Sequence, residues 1–576
     1  MKQGSLRERW KAWGLTALLV TALWLFLSVF FDFYYDLNDD WAMKDILSGA
    51  YTGSPDGHNV QMLYPLGFII ALGYRVCGVL PWYGIFLCCC QFFALGIIVH
   101  KLTQQIAGWR GQNVLRIFLL AAVSILFLYE FIFIQYTVTA GLLTAAAMVW
   151  ILASPDADAA GFLRYHAVTV FLALLAFGLR TEMMLLLSPF LGLAFLWRFA
   201  EKKEQLWRAA LPMLGILLGM GILLAADGFA YSSPEWKAFR SFFDDRTQVY
   251  DFYGVPDYEN NQELYQTLGL PKSAYVLLEN YNFDLDDDID SQMMQEIADY
   301  AAQHQETGTG RRLYLALYTY VYRFLHGQEL LLDLFCLVCY FFLIRTAFYA
   351  KNRRLFLYVM LTFSLRSMLW LFLLYRGRVP ERITHPLYLT ELLFLGAFVF
   401  LDKNGLQWKK YEKSAILSLY VILLLCGAVF NGQSVSRTYA QRESVNENWL
   451  QWKAYCAKRP EQYYCMDVYS TVAYSEKLFS NTSSAYRNFD LAGGWSVKSP
   501  LAEAKRGRAS VETMEKALLT PTVFFVADAK KEERNPSFLV PYYRDRDVEI
   551  TIEEADRCGS FAIYRLKTIT DKETGM

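Results

Sequence analysis

The apolar residues of this chain are gathered into long runs instead of alternating with polar ones. Runs of about 16–22 residues lie near 12–31, 82–99, 114–131, 137–153, 166–179, 183–198, 207–226, 328–346, 355–374, 386–402 and 414–431. Each approaches the ~20 residues a helix needs to cross the hydrocarbon of a bilayer. The pattern predicts a polytopic α-helical membrane protein with about eleven transmembrane helices. A further run, 63–80, is long enough to cross, but crossing puts Arg75 in the membrane and a very tight turn at Pro81. It reads instead as a helix lying in the outer interface.

Three polar stretches interrupt the runs: 32–63, 228–312 and 432–576. Lys and Arg fix their side. Lys2, Arg7, Arg9 and Lys11 precede the first run, and the alternate loops carry Lys101, Arg110 and Arg116; Lys202, Lys203 and Arg208; Lys351, Arg353 and Arg354; Lys403, Lys409, Lys410 and Lys413. This predicts an N-terminus inside, a C-terminus outside and all three polar stretches outside. The expected division is a membrane domain, 1–431, and an extracytoplasmic α/β domain, 432–576. In the latter, strands are expected at 463–470, 522–529, 548–554 and 561–567, with helices at 443–460 and 510–519. Bulky residues follow the first run where a cleavage site needs small ones, so that run reads as a retained anchor. The Tyr-rich amphipathic stretch 311–328 suits the headgroup level.

Composition agrees: the chain is 55% hydrophobic and 16% aromatic, above the range of soluble proteins. A net charge of −1 excludes the basic excess expected of a nucleic-acid binder. Seven of the ten cysteines lie in apolar runs and read as small buried hydrophobes. Cys456 and Cys465 can pair if the compartment is oxidising, leaving Cys558 over. The acidic stretch 282–290 lacks the Gly and Glu an EF-hand loop requires, so it reads as a solvated turn and helix start. The Gly-Gly of 493–494 reads as a turn.

Candidate chemistry gathers at the predicted outer surface. Asp36, Asn38, Asp39, Asp40 and Asp45 follow the first run directly. Asn38 or Asp39 can cap a helix that starts near Trp41, but capping uses only one of them. Asp56, His58 and Asn59 come shortly after. Arg180 and Glu182 sit between two short apolar halves and are each other's expected partners. Glu130, Gln135 and Thr137 read as a solvated turn. Arg376, Arg378 and Arg382 fall in a short outer loop, against the positive-inside bias, with Gly377 and Pro380 to bend the backbone and His385 just beyond. Arg suits bidentate phosphate recognition, and Arg240 and Arg246 are candidates for the same pocket.

An inside-to-outside helix, an outer loop bearing "NDD" at 38–40 and an interfacial helix opening "MLYPLG" resemble the GT-C superfamily of polyprenyl-phosphate-dependent glycosyltransferases, which includes protein mannosyltransferases and aminoarabinose transferases. The resemblance covers about 1–430, mainly as topology; "LYPLG" stands where many members have a His-Pro-Pro start. It implies a polyprenyl-phosphate-linked sugar donor, a glycan, lipid or protein acceptor, and a bacterial cytoplasmic membrane. By resemblance, Asp39 or Asp40 acts as general base or metal-associated acid, with a divalent cation an open option. Arg376, Arg378, Arg382, Arg180 and Arg246 hold the donor phosphate, and Glu182, His58 and His385 support them. Direct displacement inverts the sugar. Two other readings use the same residues without chemistry: a transporter or flippase for a lipid-linked sugar, and a membrane scaffold whose external domain binds a partner.

Overall fold

The computed structural model describes residues 6–104, 109–155, 159–200, 203–305, 308–326, 329–400, 410–480 and 487–569. Lys2, Lys202, Lys403 and Lys409 therefore lie outside the described residues. Among the described residues, nine helices are long and apolar enough to cross a membrane: Trp10–Phe30, Trp82–Thr103, Gly161–Leu179, Thr181–Phe199, Trp207–Ala230, Leu330–Tyr349, Arg353–Tyr375, Glu381–Phe400 and Leu417–Ala457. The chain is a polytopic helical membrane protein with a C-terminal sheet domain.

The two remaining predicted spans fall on shorter apolar helices, Gly111–Leu126 and Tyr136–Leu152. The run at 114–131 breaks at Phe127, which leaves helical geometry before a five-residue helix, Leu128–Ile132. Tyr136–Leu152 is the hub of the bundle, with every residue but Trp150 buried. Its small residues explain this: Ala140, Gly141, Ala145, Ala146 and Ala147 let neighbouring backbones close in. At Gly141 a Cβ would lie 2.4 Å from Pro386, so helix Glu381–Phe400 can cross here only because position 141 has no side chain. Tyr64–Val76 has 13 residues, about 20 Å of helix and too short to span. Arg75, near its end, donates to the Pro55 carbonyl at 2.9 Å.

The three polar stretches pack into one body. Its frame is a five-stranded sheet in the order Phe489–Leu491, Tyr463–Met466, Val523–Asp528, Phe561–Thr568, Ile550–Cys558. The first three strands are parallel, and the last two form an antiparallel hairpin. Alternation along Val523–Asp528 divides the core in two. Val523, Phe525 and Ala527 face Phe242, Tyr265, Leu277 and Ile297 of the 228–312 stretch. Phe524 and Val526 face Trp449, Trp452 and Trp41. Trp449 and Trp452 belong to helix Lys410–Ala457, 48 residues long and unbroken across the expected boundary at 431/432.

Two expectations need correction. Cys456 and Cys465 are both free, because they occupy the cores on opposite faces of the sheet. The 282–290 stretch is not a solvated turn throughout. Asp290 does cap helix Ser291–Gln303, but Asp284 and Asp286 are buried against Arg506 and Arg546, at 2.9 and 2.8 Å.

Candidate functional site

Beyond the first helix the chain is pinned at once. Tyr34 and Tyr35 pair in parallel with Phe133 and Ile134, and the Leu478 amide donates to the Phe33 carbonyl at 2.7 Å. Helix Asn38–Ser48 then begins with Leu37 at its N-cap and no side-chain cap, so neither Asn38 nor Asp39 caps it. Asp39 and Asp40 stand in its first turn, where carboxylates suit the helix dipole.

The acids of this stretch have distinct environments. Asp36 accepts from Arg442 at 2.9 Å and from the Tyr129 hydroxyl at 2.6 Å. Asp45 pairs with Lys44 at 2.9 Å and with Arg487. Asp40 is fully buried and accepts from the Tyr83 hydroxyl at 2.9 Å. Burial pushes its carboxyl well above the ordinary 3.8, and the nearby Asp39 and Asp36 add to this. Asp39 is half-buried and accepts from the indole N–H of Trp495 at 3.1 Å. Of the two acids offered as alternatives, Asp40 is sealed and Asp39 is half-open. The 493–494 turn, which reads in sequence as a mere connection, delivers Trp495. Gly493 is required there, since a Cβ would lie 1.8 Å from the Tyr281 carbonyl.

Arg180 caps the approach to helix Thr181–Phe199. It bonds Glu182 at 3.0 Å and the Gln61 side-chain oxygen at 2.8 Å. The Tyr136 hydroxyl donates to the same Gln61 oxygen at 3.1 Å. The charges of Arg180, Asp39, Asp40 and Arg382 all bear on that hydroxyl. Arg382 is half-buried, and among the described residues no hydrogen bond or ion pair engages it. Four residues on, Pro386 lies inside the same helix and has no N–H to give the Arg382 carbonyl.

The arginine loop has a defined geometry. Gly377 takes φ +71°, and the amides of Gly377 and Arg378 return to the carbonyls of Leu374 and Leu373, both at 3.1 Å. This is the Schellman closure that a glycine in the left-handed region permits. Arg378 pairs with Asp251, and Arg376 stacks on Phe252 at 4.2 Å. Arg246 bonds the Tyr281 hydroxyl, which lies in the field of Asp251 and Asp39.

The other predicted members have partners of their own. Arg240 is bound to Asp227 at 2.9 Å. His58 stacks on Trp236 at 4.6 Å and bonds Asp56 and the Ala230 carbonyl, so both its nitrogens are engaged. Glu182 is mostly exposed. Glu130, expected in a solvated turn, is buried and paired with His385; Gln135 is buried and caps helix Tyr136–Leu152.

Sequence reasoning missed a buried charge network inside the bundle. Arg366 bonds Asp333 at 2.6 Å and Glu391 at 3.2 Å, and also the Tyr320 hydroxyl at 3.1 Å. Above it, Glu329 receives Arg323 and Thr384 and lies 3.7 Å from His385. The signal was present: charges inside three apolar runs, Asp333, Arg366 and Glu391, where an ionisable group needs a partner.

Among the described residues, no group of three or more His, Cys, Asp or Glu side chains could hold a metal ion. The nearest acids, Asp39 and Asp251, are engaged by Trp495 and Arg378. A divalent cation does not fit this set.

The fold defines a multi-helix membrane protein with a C-terminal sheet domain, and the cluster of charges and aromatic rings is its candidate site. No family model and no curated protein matches the sequence. Among solved structures, ArnT from Cupriavidus metallidurans in the apo state is similar at 12% identity and a TM-score of 0.40, over 96% of this chain and 98% of that one. ArnT bound to undecaprenyl phosphate is similar at 10% identity and 0.40, over 95% and 97%. At that level the likeness assigns neither substrate nor site.

Proposed function

We propose that this protein is a glycosyltransferase that moves a sugar from a polyprenyl-phosphate donor to an acceptor hydroxyl on the outer face of a bacterial cytoplasmic membrane, with its N-terminus inside and its C-terminus outside. One arrangement carries the reading: the half-buried carboxylate of Asp39 bears on Tyr136, which shares the Gln61 oxygen with Arg180, together with Arg382, which no hydrogen bond or ion pair engages among the described residues. A base and a phosphate-binding cation within one electrostatic neighbourhood are what glycosyl transfer from a lipid phosphate requires.

Asp39 takes the acceptor proton as the oxygen attacks the anomeric carbon. The Trp495 N–H holds one carboxylate oxygen and leaves the other for that proton. The bond from the anomeric carbon to the phosphate oxygen breaks as the new one forms, and the configuration inverts. Arg180, Arg382 and Arg378 stabilise the charge that grows on the departing phosphate. Asp40 takes no proton from the acceptor, being buried. Glu182 and His58 hold Arg180 and the outer loop in place, and His385 fixes the start of the Arg382 helix between Glu130 and Glu329.

The test is transfer or hydrolysis of a polyprenyl-phosphate sugar by the purified full-length chain. Activity that falls by about 10²–10⁴-fold in Asp39→Asn supports the base assignment. Absence of any sugar release from a panel of such donors refutes the enzyme reading and favours transport or scaffolding.

A further inference from the structure

Arg378, one of the arginines assigned to the donor phosphate, is already engaged by a carboxylate of its own chain. Asp251 lies in the single wide turn Val249–Tyr253, after helix Pro234–Gln248 and before Gly254, whose φ is +83°. Its carboxylate pairs with Arg378, each side chain being 30% exposed. The next residue, Phe252, stacks against Arg376 at 4.2 Å and lies 5.6 Å from Arg378. The turn thus covers both arginines at once. Asp251 also acts on Arg180 and on the Tyr281 hydroxyl, so its charge reaches across the cluster.

A carboxylate and a phosphate present similar paired oxygens to a guanidinium fork. The edge of Arg378 that holds Asp251 is therefore withheld from any phosphate until Asp251 leaves. Partial exposure of both partners keeps that exchange accessible, since neither charge has to be buried alone to separate.

We propose that Asp251 competes with lipid phosphate for Arg378 and so drives release of the spent carrier. The inference rests on the glycosyltransfer reading. The sugar donor is a phosphodiester with one negative charge. Once the sugar has left, the carrier is a phosphate monoester with close to two at neutral pH. Unopposed, the arginines hold this product more tightly than the donor and the site clogs. The return of Asp251 replaces phosphate oxygens on Arg378 and repels the dianion. Asp251 makes and breaks no covalent bond; it is a positioning and specificity residue.

The experiment measures binding of polyprenyl monophosphate to the purified full-length protein in detergent, for wild type, Asp251→Asn, Asp251→Ser, Arg378→Gln and the double variant Asp251→Asn/Arg378→Gln. Both single Asp251 variants are expected to bind about tenfold more tightly than wild type, with inhibition of transfer by added polyprenyl phosphate rising in step. In the Arg378→Gln background only the long-range repulsion remains, and Asp251→Asn should tighten binding by well under the full tenfold. Equal or weaker binding in both Asp251 variants overturns the proposal. So does equal tightening without Arg378, or tightening for inorganic phosphate alone. If wild type binds no polyprenyl phosphate, the glycosyltransfer reading falls as well. If wild type binds and transfers while the Asp251 variants do not tighten, only this inference falls.

Discussion

Asp39 and Asp40 are adjacent in sequence and opposite in environment. One helical step turns a side chain by about 100°, which takes it from the half-open Trp495 side to the sealed Tyr83 side. The pair was legible as a pair. Which member opens was not, because that depends on a tyrosine and a tryptophan distant in sequence. Burial raises the Asp40 carboxyl well above 3.8, so the folded state keeps a proton that the unfolded chain gives up above that value. Stability therefore falls as pH rises from 3.8 through the folded value. Asp40→Asn should remove that slope, seen as a melting temperature that declines less from pH 4 to 8. It should also keep transfer within about threefold of wild type, well short of the loss a missing base causes. A loss in Asp40→Asn as large as that in Asp39→Asn would return Asp40 to the chemistry.

At the scale of elements, the arginine loop could be read because Gly and Pro mark bends locally. Its ring and carboxylate partners could not, since Phe252 and Asp251 lie over 120 residues upstream. The charge network is the converse case. Asp333, Arg366 and Glu391 lie in three separate runs whose mean hydropathy stays high, and only the packing of three helices shows that they are one cluster. Arg366 neutralises two buried carboxylates. Arg366→Met should destabilise the bundle by about 3–5 kcal/mol, the cost of leaving a buried charge without its partner. The check is thermal unfolding in detergent, followed by loss of monodisperse protein. Unchanged stability would mean that the two acids are satisfied without the arginine.

At the scale of the molecule, the places of the apolar helices and the sheet's four longer strands were legible from periodicity, though two of the eleven expected spans fall on helices shorter than a full crossing. The union of the three polar stretches was not, because the contacts that join them span hundreds of residues. One such contact is a buried ion cluster: Glu476 binds Lys453 at 2.7 Å, Arg487 at 3.0 Å and Lys44, which also holds Asp45. It ties the Asp39 helix to the sheet domain. Burial alone would raise Glu476, but Arg487, Lys44 and Lys453 outweigh it and hold the carboxyl well below 4.5. Its stabilisation is therefore present above pH 4.5 and is lost as pH falls through the lower folded value. Glu476→Gln should lower the melting temperature at pH 7 and flatten this acid transition; an unchanged acid profile would assign the transition to other carboxylates. The central claim is that, within one site, Arg382 binds phosphate and Asp39 acts as the base. The most direct measurement is donor-lipid binding and sugar transfer in the same preparations of Asp39→Asn and Arg382→Ala. The account predicts that Asp39→Asn binds like wild type and does not transfer, while Arg382→Ala loses about tenfold or more in binding. Full binding in Arg382→Ala, or transfer by Asp39→Asn at the wild-type rate, would contradict it.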